Sequence, residues 1–232
     1  MGQWKFVVRA SKRLSRKGLA NFLERELSSV GNGVRILSVG AGGEVQDLVC
    51  RCADEAGGVV VSSDIDASRA PDIIDDITKS SLPDESFDIV VMMEVLEHVS
   101  DPFAAASEVY RLLRPGGKLV LSSPFIFPIH DRPYDFFRYT KYGLKLVLSQ
   151  FDELVIVERN TWAEAILVLF ARAMGELRRA KRLLSPFIIL LILLCLPGAL
   201  LLGRLLRSDF LTTGYIVTGI KSQARRRVSE TV

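Results

Sequence analysis

The densest group of reactive side chains in this 232-residue chain is His130, Asp131, Asp135 and Arg138, in a stretch running from Ser123-Pro124 to Tyr139-Thr140. A histidine titrates near neutral pH, so His130 is suited to take a proton from a hydroxyl, with Asp131 or Asp135 orienting its ring. Arg138 suits an anionic partner such as a phosphate or carboxylate. The same residues also admit a structural reading, in which Asp135 and Arg138 pair to hold the loop.

A second group lies upstream. Ile36-Leu37-Ser38-Val39-Gly40-Ala41-Gly42-Gly43-Glu44 is a glycine-rich turn between a strand and a helix. Such a turn lets a ligand approach the backbone closely beside a helix N-terminus. A dinucleotide fingerprint would need another glycine at position 45, which is Val, so a dehydrogenase is disfavoured. Asp64, about twenty residues on, ends the next strand, where a carboxylate can accept both hydroxyls of a ribose. The alternative is an ordinary turn or helix-cap aspartate.

These groups need a scaffold, and the hydrophobic pattern predicts one. Val34–Val39, Val59–Val61, Ile73-Ile74, Phe87–Met93, Lys118–Ser123 and Leu154–Val157 read as strands. Helical patterns separate most of them, with a start signal at Ser100-Asp101-Pro102 and a stop at Arg114-Pro115-Gly116-Gly117. Strands alternating with helices predict an α/β fold with a parallel, doubly wound sheet. Loops at the carboxyl ends of such strands form the ligand crevice.

The order of motifs is more specific than any one of them. Leu82-Pro83-Asp84-Glu85-Ser86-Phe87-Asp88 leads to Glu94-Val95-Leu96-Glu97-His98, then Asp101-Pro102, then Arg114-Pro115-Gly116-Gly117. From about residue 34 to 160 this succession resembles the class I S-adenosylmethionine-dependent methyltransferase family. The resemblance implies a Rossmann-like, seven-stranded, mostly parallel sheet with helices on both faces, and S-adenosyl-L-methionine as cofactor. By position it implies Ser38, Gly40 and Gly42 at the methionine part, Asp64 and Ile65 at the ribose, Asp76 at the adenine, and Met93 and Glu94 on the floor. The match departs at Ser38, where the family usually has an acid, and at Glu44, where it usually has a glycine. Those departures keep open a scaffold protein that has the fold without turnover. The loop at 130–140 more loosely resembles methyltransferases of polysaccharide and glycolipid assembly, which implies His130, Asp131, Asp135 and Arg138 as the acceptor side.

Charge and hydropathy are unevenly spread. Residues 1–19 hold six Lys/Arg and no acid, residues 165–232 hold eleven against three acids, and the stretch between holds 13 against 24. Two basic ends around an acidic middle exclude the continuous basic face that nucleic acid needs. They suit either an anionic membrane surface or plain solvated tails. The three cysteines form no metal-ligand spacing, and no metal site is expected.

Leu183–Gly203 contains no charged residue, which is long enough to span a bilayer. Arg178, Arg179, Lys181 and Arg182 precede it, and Arg204 and Arg207 follow, so both flanks look cytoplasmic. With Pro197-Gly198 as a break, the expectation is a re-entrant or in-plane hairpin on the cytoplasmic face of the membrane. A single-pass span and a soluble helical lid are the alternatives. The expected divisions are a basic amphipathic helical segment (1–30), the cofactor-binding core (31–160), the apolar insertion (161–210), and the last strand with a basic tail (211–232). The expected partner is a membrane-bound or lipid-linked small-molecule acceptor, with O-methylation of a glycolipid or polysaccharide intermediate ahead of methylation of a quinone or lipid.

Overall fold

The computed structural model describes residues 15–28, 30–176 and 181–223. Seven strands form one sheet: β1 (Arg35–Val39), β2 (Val59–Asp64), β3 (Ile73–Ile74), β4 (Phe87–Met93), β5 (Leu113–Pro124), β6 (Asp152–Glu158) and β7 (Gly214–Ile220). Their order is β3-β2-β1-β4-β5-β7-β6. Every pair from β3 to β5 is parallel, and β7 runs antiparallel between β5 and β6. The order reverses between β1 and β4, so a crevice opens beyond their carboxyl ends.

Alternation along the strands builds a core on each face. Leu37, Val90, Met92, Leu119 and Leu121 pack with Ala105, Val109 and Leu112 of α3 (Pro102–Leu112) and with Leu144 and Val147 of α4 (Lys141–Val147). Ile36, Ile89, Val91, Met93 and Val120 face the other way. They meet Leu19, Phe22, Leu23 and Leu27 of α1 (Lys17–Leu27) and Val49 and Ala53 of α2 (Gly43–Glu55). Each fully buried Leu or Phe contributes about 1.5–3 kcal/mol. The apolar side of α1 is thus occupied by the sheet, and Glu26 on the same helix pairs with Lys118 of β5. Residues 1–14 of the basic N-terminal segment lie outside the described residues.

Between β6 and β7 the chain makes α5 (Trp162–Glu176) and α6 (Lys181–Leu205), which pack against each other. Trp162 Nε1 donates to Leu206 O at 2.8 Å, and a Cβ on Gly203 would meet Thr161 Oγ1 at 2.4 Å. The start of α5 therefore lies against the end of α6, so the two helices are antiparallel. This corrects the expected break at Pro197-Gly198: the apolar run is one helix, and the hairpin consists of α5 and α6 together. A proline forfeits one backbone hydrogen bond, and the helix continues through it to Leu205. Because β7 returns to the same sheet, the two ends of the insertion lie on one side. Among the described residues no helix is long and apolar enough to cross a membrane.

Candidate active site

The glycine turn forms one wall of the crevice. Gly40 has φ +91° and Gly42 φ +85°, a left-handed region that favours glycine. Gly40 N donates to Ser63 O at 2.8 Å, and a Cβ at Gly40 would lie 2.5 Å from Val95 Cγ2. The turn opens on a cleft of about 400 Å³ lined by Ser38, Gly40, Gly42, Met93, Glu94 and His130 among others. The glycine turn therefore shares one cleft with His130 and Asp131, whereas Asp135 and Arg138 are not among its lining residues.

Asp64 lies beneath the turn. Its Oδ2 accepts from Ala41 N and its Oδ1 from Asp66 N, both at 2.8 Å. A carboxylate has about four lone-pair sites, so each oxygen keeps capacity for a ribose hydroxyl. Ile65 beside it is 70% exposed. Asp76 accepts from the backbone and hydroxyl of Thr78 at 3.0 and 2.8 Å. Burial opposes its charge, but those bonds outweigh burial and hold its carboxyl below the usual range. Asp64, Ile65 and Asp76 are not among the residues that line the cleft.

The two departures from the family pattern have local partners. Ser38 Oγ donates to Gln46 Oε1 at 2.5 Å. Glu44 is exposed at the start of α2 and lies 3.4 Å from Arg16 Nη1. Arg16 also lines the cleft, which places a cation beside the acid.

Glu94 on the floor has φ +56°, rare for a non-glycine residue. Its backbone N–H donates to Ser122 O at 3.0 Å, and Ser122 Oγ donates to Oε1 at 2.8 Å. Arg159, just past β6, reaches the same carboxylate through Nη2–Oε1 at 2.6 Å and Nη1–Oε2 at 3.2 Å. Burial disfavours the charge of Glu94, and Arg159 outweighs it, holding the carboxyl below its usual range.

The loop after β5 forms the opposite wall. It is latched to the 3-10 turn Leu96–His98: Phe136 N and Phe137 N both donate to Glu97 O, and Tyr139 OH donates to Leu96 O. Asp135 accepts from His130 N at 2.9 Å and from Arg138 at 2.5 and 2.6 Å. These bonds bring its carboxyl down to about 2, chiefly through Arg138. Arg138 also donates to the carbonyls of Phe127, Pro128 and Phe137. Its guanidinium is committed to the loop, in line with the structural reading of that pair.

His130 Nδ1 lies 3.4 Å from Asp135 Oδ2, and its Nε2 points towards Glu97 Oε1 at 3.9 Å. Asp131 joins through His98, with Oδ2 3.8 Å from His98 Nε2. Glu97 is fully buried, and burial with the nearby charge of Glu94 pushes its carboxyl well above the usual range. Glu97, His98 and Arg172 escape the sequence reading as site residues. Arg172, on α5, lines the cleft with its guanidinium over the Phe127 ring, and its Nε has no hydrogen-bond partner among the described residues. A lone arginine in a largely apolar helix gives no hint that it faces a cleft. A second hollow, of about 620 Å³, lies between the end of β6 and the foot of the hairpin, and holds none of the glycine-turn residues.

Residues 37–121 match the family model described as a methyltransferase domain. The chain is similar to a ubiquinone biosynthesis O-methyltransferase of Xanthomonas oryzae pv. oryzae, 36% identical over 39% of this chain and 43% of that protein. It is also similar to phosphoethanolamine N-methyltransferase 3 of Arabidopsis thaliana, 30% identical over 37% of this chain and 19% of that protein. The matched part thus spans less than half the length of these curated relatives. Among solved structures, phosphoethanolamine N-methyltransferase 2 of Haemonchus contortus in complex with S-adenosyl-L-methionine shares the fold, with TM-score 0.57 and 15% identity over 88% of this chain and 52% of that one. Strand order, glycine turn and family match agree: this chain carries a class I, S-adenosylmethionine-dependent methyltransferase domain.

Proposed function

We propose that this protein methylates an acceptor held at a membrane surface, through an oxygen of a lipid-linked sugar. The observation that carries the reading is that the glycine turn and His130 line one cleft, so donor and acceptor groups meet without rearrangement of the sheet. Gly40, Gly42 and Ser38 would hold the methionine part of the cofactor, with Arg16 offsetting Glu44. Asp64 and Ile65 would take the ribose, Asp76 the adenine, and Met93 and Glu94 the floor. The cofactor supplies a methyl group on a positively charged sulfur, ready for in-line displacement.

The remaining work falls to the chain's own residues. Much of the rate comes from alignment, which the latch between the loop and the Leu96–His98 turn provides. His130 takes the hydroxyl proton at Nε2 in the tautomer that donates from Nδ1 to Asp135, with Arg138 Nη2 also 3.4 Å from Nδ1. Recognition of an anionic acceptor group, first assigned to Arg138, passes to Arg172, which has no carboxylate partner among the described residues. Membrane placement rests on α6, where Phe187, Leu190, Leu191, Leu194, Leu201 and Leu205 are all exposed. An apolar strip of that extent on a surface marks an interaction site, and the adjoining basic residues suit anionic lipid.

A quinone acceptor is the second reading, favoured by the ubiquinone O-methyltransferase relative. The test is incubation of the full chain with methyl-labelled cofactor and a total lipid extract. Label in a glycolipid fraction supports the first reading, and label in the quinone fraction replaces it with the second. Cofactor binding without label in any fraction would instead favour the scaffold alternative.

A further inference from the structure

We propose that Glu97, His98 and His130 form a binding site for one divalent transition-metal ion at the acceptor side of the cleft. Their ligand atoms, one per residue, all lie within 4.8 Å of one another. Glu97 supplies the second, independent observation. Its side chain is wholly buried, and its Oε1 has no hydrogen-bond partner among the described residues. That atom lies 3.8 Å from His98 Nε2 and 3.9 Å from His130 Nε2. A buried polar atom without a partner is costly, and this one is aimed between two imidazole nitrogens.

The imidazoles are set as metal ligands are usually set. His98 Nδ1 lies 2.8 Å from Tyr134 O, which makes Nδ1 the protonated nitrogen and leaves the Nε2 lone pair facing Glu97. His130 Nδ1 lies 3.4 Å from both Asp135 Oδ2 and Arg138 Nη2, and in the tautomer that donates from Nδ1 to Asp135 the Nε2 lone pair faces the cluster. The rings meet edge to face with centroids 4.8 Å apart. Two imidazoles and one carboxylate suit zinc, manganese, iron or cobalt rather than calcium or magnesium. Ligand bonds of about 2.0–2.2 Å put ligand atoms roughly 3–3.5 Å apart, so the cluster must draw in by about an ångström. Asp131, with Oδ2 3.8 Å from His98 Nε2, is within reach as a further ligand.

His130 and Asp131 line the cleft, so an open coordination position would face the acceptor. This role, but not the binding itself, rests on the methyl-transfer reading. With the ion in place, His130 acts as a ligand. The acceptor oxygen binds the ion, its O–H bond breaks, and the proton leaves through exposed Asp131 to solvent. The freed oxygen pair then forms the bond to the methyl carbon as the carbon–sulfur bond breaks.

The test is a cobalt(II) titration of the full chain stripped with a chelator, read by visible absorption. Wild-type protein is expected to bind one ion per chain with ligand-field bands. His98→Asn and His130→Asn are expected each to weaken binding at least ten-fold, and the double variant to abolish the bands. Calorimetry with S-adenosylmethionine on the same samples shows that the variants are folded. It also separates the two ideas, since cobalt binding without cofactor binding would sink the methyltransferase reading alone. Absence of bands in the wild type at millimolar cobalt would overturn the site. Undiminished binding by the double variant would overturn it too.

Discussion

Arg159, beyond the end of β6, closes on Glu94, at the end of β4, with Nη2 2.6 Å from Oε1 and both side chains largely removed from solvent. The pair lines the crevice, where Glu94 has a left-handed φ of +56°. Removing the arginine leaves a buried carboxylate uncompensated, which costs about 3–5 kcal/mol. Arg159→Leu should lower the unfolding free energy measured by urea denaturation by an amount of that order. Glu94→Gln in the same chain should recover part of the loss. No recovery in the double variant would refute the pairing as the cause.

Gly40→Ala tests the glycine turn. The added methyl would need φ +91° and would lie 2.5 Å from Val95 Cγ2. Left-handed strain and overpacking each cost about 1–3 kcal/mol. The variant should melt at lower temperature and lose cofactor affinity, and Val95→Ala should relieve only the steric part. Melting curves and calorimetry on the two variants check this.

Asp135 predicts an acid-sensitive loop. Its carboxyl is at about 2 in the fold, below the ordinary 3.8, so the fold favours the ionised form. The resulting stability is fully present above about pH 4 and drains away as pH falls towards 2, by roughly 2 kcal/mol at most. Asp135→Asn should be less stable at pH 7 and show a flatter stability profile between pH 4 and 2. A parallel profile in the two proteins would contradict the assignment.

The exposed face of α6 predicts lipid binding that can be removed without unfolding. Leu190 is 54% and Leu194 69% exposed, so Leu190→Glu with Leu194→Glu should leave the melting temperature nearly unchanged. Sedimentation with vesicles rich in anionic lipid should show wild-type protein bound and the variant free. Equal binding of both would place the contact elsewhere.

Much of this architecture is readable in the sequence because the signals are local. The uninterrupted apolar runs Ile36-Leu37 and Ile89–Met93 mark strands covered on both faces, and Gly40 and Gly42 announce the turn between β1 and α2. What escapes depends on distant partners. An amphipathic helix such as Lys17–Leu27 looks the same whether it meets lipid or a sheet, and here it meets the sheet. Glu97 and His98 read as a fold motif until the loop after β5 delivers His130 beside them. Arg138 offers the same charge to a ligand or a neighbour, and only the folded loop shows Asp135 taking it.

The central claim is that the cleft beside Gly40 and Asp64 binds S-adenosylmethionine, and calorimetry on the full chain tests it most directly. One cofactor should bind per chain, Asp64→Ala should abolish binding, and His130→Ala should leave it within about two-fold while cutting methyl transfer by roughly 10²–10⁴. No heat of binding at millimolar cofactor, with the protein folded, would contradict the account.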